Sequence, residues 1–147
     1  MWSDTLLLAE RAHLQQLIVW GAASVLVGTL VLTLLAVGRV RSALLVHFSL
    51  QTLVWGAIDL VIAIFAWRGL TDRDVDAATR LDRFLWLNAG LDAGYVGVGA
   101  TLAITGWLLG RRLGPVGAGL AIIVQGLALL LLDARFINTI MALRVSS

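Results

Sequence analysis

Apolar residues run along this chain in four long blocks separated by short polar breaks. Residues 17–37 carry no charge, 43–67 carry only Asp59, 84–109 carry only Asp92, and 113–133 are uncharged until Asp133. A helix through hydrocarbon needs about 20 mostly apolar residues. Backbone in lipid must satisfy its own hydrogen bonds, so each block reads as a helix. A transmembrane barrel is excluded, since no segment alternates with period two over about 10 residues. The pattern predicts an all-α membrane protein: one transmembrane domain over residues 1–147, built as a four-transmembrane-helix bundle.

The breaks organise the bundle. Gly38–Ser42 joins the first two helices, and Gly110–Arg112, running on to Gly114 and Pro115, joins the last two. Residues 68–83 form a longer, charged connection. Within it Thr71 and Asp74 have capping-box spacing, and Val75, Ala78, Leu81 and Leu85 share a helical stripe, which predicts a surface helix running into helix 3. Residues 3–16 read as an interfacial lead-in to helix 1, with a cap signal at Ser3 and Asp4. They lack the basic start and short apolar run of a secretory signal, so the mature chain is expected from Met1 onward.

Four spans place both termini and the 68–83 segment on one side, side A, and the two tight turns on side B. Trp2, Trp20, Trp67 and Trp86 fall near interface A and Trp107 near interface B, as an aromatic belt. Side A has seven of the eleven Arg, mixed with acids; side B has Arg39, Arg41, Arg111 and Arg112 and no acid. A raw count of basic residues favours side A as cytoplasmic, whereas the density of Arg in the tight side B turns favours side B, the orientation expected here, in a bacterial inner membrane. At an offset of 70, Leu50, Val54, Gly56 and Leu60 match Leu120, Val124, Gly126 and Leu130. The chain therefore reads as two helical hairpins related by a two-fold along the membrane normal.

Composition changes the picture mainly by exclusion. The chain is 60% hydrophobic and 14% charged, with a formal charge of +2; a soluble domain carries about 25% charged residues. All basic residues other than His are Arg. Without Lys there is no Schiff-base chemistry. Without Cys there is no disulfide, iron–sulfur cluster or thiolate metal site. No metal or cofactor is implied, no basic run suggests nucleic acid, and no nucleophile–base motif suggests an enzyme.

Charge inside the membrane is the sharpest chemical signal. An Asp at mid-helix costs roughly 2.5–3.5 kcal/mol on insertion scales. Asp59 lies eight residues before Trp67, and Asp92 eight residues after Phe84. At about 1.5 Å per residue both sit about 12 Å in from side A. Facing carboxyls cannot both stay ionised, so a shared proton follows. Asn88, Asp92 and Tyr95 share one face of helix 3, Gln51 and Asp59 one face of helix 2, and Gln125 lies mid-way along helix 4. These six residues form the expected intramembrane polar cluster. It serves either as a proton or cation site or as hydrogen-bonding glue between helices. Asp133 and Arg135 are expected to pair at interface A.

Small residues mark close packing. Gly90 and Gly94, and Gly106 and Gly110, form two GxxxG spacings that make helix 3 the central packing helix, and Gly28 with Ser24 does the same for helix 1. His13 and His47 fall at opposite ends of the bundle, which excludes a bis-His haem within the chain. Each then reads as an interfacial anchor, with single-His ligation of a pigment the alternative.

Residues 47–133 also resemble a family of small bacterial four-helix membrane proteins of unknown function. The likeness rests on "WLNAGLDAGYVGVG", with Asn88, Gly90, Leu91, Asp92, Gly94 and Tyr95, and on "GAGLAIIVQGLALLLLD", with Gln125, Gly126 and Asp133. Helix 2 departs from it, having Gln51 or Asp59 where the family often has Asn. The resemblance implies fold and membrane location and no activity. The leading expectation is a small structural or accessory protein of the bilayer, assembling with itself or with other membrane subunits. The rivals are a proton- or ion-coupled carrier or channel subunit using Asp59 and Asp92, and a pigment- or quinone-binding subunit.

Overall fold

The computed structural model describes residues 2–145, with side chains described from Ser3. Met1 and the side chain of Trp2 lie outside the described residues. Four antiparallel helices make up the chain: α1 (Trp2–Val37), α2 (Ala43–Arg68), α3 (Val75–Leu108) and α4 (Leu113–Val145). There is no strand among the described residues. Ser42 caps α2 by accepting from the Leu45 amide at 3.3 Å, and Asp74 caps α3 by accepting from Ala77 at 2.7 Å. Asp74 is thus the cap itself, and Thr71 starts no capping box.

Three helices, α1, α2 and α4, are long and apolar enough to cross a membrane. Helix α3 is less apolar, because Asn88, Asp92 and a run of glycines dilute it. It nevertheless lies along α4 from Asp82 beside Arg144 to Gly106 beside Pro115, so it follows α4 wherever α4 goes. Large apolar side chains point outward, such as Leu26 at 70%, Phe65 at 67% and Leu131 at 64% exposure. The interior of α4 is instead Gly114, Gly117, Ala118, Gly119, Ala121, Gln125 and Gly126. In lipid, burying apolar surface gains nothing between helices, so close backbone approach takes its place.

Two boundaries differ from expectation. Residues 3–16 are not a separate lead-in but the first turns of one 36-residue helix. Helix α4 does not stop at 133 but runs to Val145. At about 1.5 Å per residue both reach about 50 Å, well beyond the hydrocarbon core. The overhang is paired: Leu6, Ala78, Leu85, Ala89, Phe136, Ile137 and Ile140 form a conventional hydrophobic core at the side A end. Its existence explains why the helices continue past the membrane-length segments. The described ends of α1 and α4, Trp2 and Val145, lie at that end with residues 69–74. Reporters fused to either terminus should therefore report the same side as one inserted at Asp72, and opposite sides would refute the four-helix topology.

The hairpin repeat is visible in backbone detail. Arg39 and Arg111 occupy equivalent turns, each in the left-handed region with φ of 52° and 53°. A Cβ on Gly56 would sit 2.8 Å from the Gly21 carbonyl oxygen, and one on Gly126 would sit 2.9 Å from that of Asp92. Each hairpin thus seats the same glycine of its second helix on the backbone of its first.

The central role expected of α3 is corrected. Helix α4 touches all three others, whereas no Cα of α3 comes within 8 Å of one in α1 or α2. Gly106 packs on Pro115, and Gly28 on Leu53 and Ser49, as expected. Gly90 and Gly94 have no heavy atom within 4 Å of a Cβ position, and Gly110 sits in the turn with φ of 94°. The α4 contacts of α3 are made by Gly99 and Gly106 instead, because they fall on the other face of the helix.

Candidate functional site

Where α2 and α3 would meet there is a cavity of about 580 Å³ on the side A half of the bundle. Helix α4 forms its back wall with Leu129, Asp133 and Phe136. The polar groups on it descend in tiers from the side A end.

At the mouth, Glu10 of α1 is bound by Arg73 in a two-point pair, Nε to Oε2 at 2.7 Å and Nη2 to Oε1 at 2.5 Å. Glu10 is 6% exposed. Its hydrogen bonds raise the Arg73 pKa above the ordinary value, against the opposing effect of burial. Residues 69–74 are thereby tied down over the cavity. One turn deeper, His13 Nε2 lies 3.3 Å from Asp133 Oδ1, and its ring stacks on Phe136 at 4.6 Å between centroids. His13 Nδ1 has no protein partner.

Deeper still are the two expected carboxylates. Asp59 accepts a hydrogen bond from Gln125 Nε2, and Gln125 Oε1 accepts one from Trp20 Nε1 at 3.1 Å. This Trp20–Gln125–Asp59 chain links α1, α4 and α2 in the bundle interior. Asp92 is 5% exposed, and its Oδ2 has no hydrogen-bond partner. It lies within electrostatic reach of Asp133 and Asp59. Trp55 meets Tyr95 edge-on at 5.1 Å and closes the far end.

Of the expected cluster, Asp59, Asn88, Asp92 and Tyr95 line this one cavity, and Gln125 stands behind it holding Asp59. Gln51 is half-buried on α2 and does not line the cavity. Both carboxylates face the interior, as their insertion cost requires. No hydrogen bond joins them directly: the α2 and α3 backbones do not come within 8 Å of each other at any Cα pair.

Three readings from the sequence are corrected. His13 is a buried member of the site rather than an interfacial anchor. Asp133 pairs with His13, while Arg135 is exposed. Trp20 is an interior donor rather than part of the aromatic belt. The missing signal was a single stripe on α1: Leu6, Glu10, His13, Leu17, Trp20, Ser24 and Gly28 recur at spacings of three and four. Treating residues 3–16 as a separate segment hid its continuity. No group of three or more His, Asp or Glu able to hold a metal occurs among the described residues. His47 lies against Gly114, about 28 Å along α4 from the level of Asp133.

The class defined here is a four-helix bundle of membrane-spanning character with a largely apolar cavity, carrying a few charged and polar groups, in its side A half. Residues 16–134 match the family of unknown function DUF6992, and the chain belongs to that family. No curated protein matches the chain. No solved structure matches it either.

Proposed function

We propose that this is a non-enzymatic protein of a bacterial inner membrane that binds a proton or cation in its half-membrane cavity, acting as a coupled carrier or as a subunit of one. The observation that carries the reading is Asp92. Its buried Oδ2 has no donor, and an unpaired carboxylate in a low-dielectric setting is strongly unfavourable. A proton or a cation satisfies it. Packing glue does not account for it, because glue would have paired it within the protein.

The test is flux. Protein reconstituted in vesicles with an internal pH dye should show proton movement driven by an imposed gradient. Asp92→Asn should reduce the rate at least tenfold while leaving the helical signal intact, since an amide preserves shape and most hydrogen-bonding capacity. Equal rates in the two proteins would refute the reading.

A second reading, assembly with a further copy or another membrane subunit, has its own observation. Gly90, Gly94 and Gly97 line an outward face of α3 with nothing against them, and such faces let helices approach closely. Native mass spectrometry from detergent should then show an oligomer that Gly94→Leu disperses.

A further inference from the structure

The hairpin repeat maps α1 onto α3 and α2 onto α4. Under it, the packing of α1 on α4 should recur as packing of α2 on α3. Cα atoms of α1 and α4 come within 8 Å of each other, whereas none of α2 and α3 do; those two helices meet through the Trp55–Tyr95 ring contact at the deep end. The approximate two-fold is broken at one place, and the cavity fills that place.

The gap is a bounded slot. Trp55 against Tyr95 closes its deep end, and the Glu10–Arg73 pair closes its side A end. Between Trp55 and Ala66 it runs eleven residues of α2, about 16 Å. Its lips are apolar and open outward: Ile58 and Ile62 on α2, Phe84 and Leu91 on α3, at 40%, 58%, 56% and 51% exposure. Lips of this kind face acyl chains rather than water, so the slot admits molecules sideways from the bilayer.

The charges facing the slot sort themselves. Glu10 is paired with Arg73, Asp133 lies 3.3 Å from His13 Nε2, and Asp59 accepts a hydrogen bond from the neutral Gln125 amide. Arg80 stands at the mouth, twelve residues along α3 from Asp92, or about 18 Å. Asp92 alone is both nine-tenths buried and without a partner.

We propose that the site takes an amphiphile with a single amine-type cationic head from the bilayer, the ammonium on Asp92 and the apolar tail leaving between Ile62 and Leu91. A tail of this kind matches the lips, and a cation matches the one buried carboxylate facing the slot whose oxygen has no hydrogen-bond donor. The proposal rests on the reading of the cavity as a proton or cation site and names the substrate class for it.

The test uses the full chain in lipid nanodiscs, with dodecylamine as probe and 1-dodecanol as its neutral match, followed by tryptophan fluorescence. Dodecylamine should bind saturably and at least tenfold more tightly than dodecanol. Asp92→Asn, with an unchanged thermal unfolding midpoint, should lose at least tenfold in affinity, and Asp92→Glu should retain binding. Ile62→Trp, which narrows the slot, should slow dodecylamine binding at least tenfold. Equal binding of amine and alcohol, or undiminished binding by Asp92→Asn, overturns the amine assignment. An unchanged rate in Ile62→Trp overturns the sideways route. Proton flux that depends on Asp92 without preferential amine binding overturns this proposal alone. Absence of both overturns the underlying reading as well.

Discussion

Gly119→Leu is expected to lower stability in detergent by about 3 kcal/mol, at the upper end of ordinary overpacking effects, and Gly94→Leu by less than about 0.5 kcal/mol, as at an unconstrained surface site. A Cβ on Gly119 would lie 2.5 Å from the Gly99 carbonyl oxygen and 2.6 Å from the Ala103 amide nitrogen. Both are backbone atoms, which cannot rotate away as a side-chain tip would. Relief requires α3 to move off α4, and α4 is the helix whose backbone α3 packs against. Gly94 has open space at the same position. Thermal unfolding followed by circular dichroism compares the two variants directly. Similar midpoints would show that α3 is not held by this seam. A change in oligomer mass for Gly94→Leu with an unchanged midpoint would belong to the assembly reading.

Gln125→Leu is expected to destabilise by about 2–4 kcal/mol, the range for removing one partner of a buried charged hydrogen bond. Gln125 donates to Asp59 and accepts from Trp20, so leucine leaves a buried carboxyl and a part-buried indole N–H unpaired at once. The double variant Asp59→Leu, Gln125→Leu removes the orphaned carboxyl and should recover at least about 1 kcal/mol relative to the single variant. A double-mutant cycle measures this coupling. Additive effects would mean that the two side chains do not depend on one another.

Much of the bundle was legible along the chain. Four apolar blocks, two tight Gly-Arg turns and buried Asp59 and Asp92 all follow from the cost of exposing backbone and charge to hydrocarbon. The repeat was legible too, since Gly56 and Gly126 match in sequence and in seating. The extent of α1 and α4 was less so, because the side A overhang has an ordinary apolar core. Its residues Leu6, Phe136 and Ile140 acquire a reason only from one another.

Hydropathy and spacing thus determined that four long helices form and that two carboxylates, Asp59 and Asp92, lie within apolar stretches of two of them. Those are properties of single helices, set by each segment's own exchange between water and hydrocarbon. Tertiary structure decided which glycines pack, that Gln125 rather than Asp92 holds Asp59, and that His13 and Asp133 join the site. It also decided that α2 and α3 stand apart. A GxxxG spacing has the same appearance on an inner and an outer face, and a bundle with one contact withheld differs from a closed one only in how its helices are arranged.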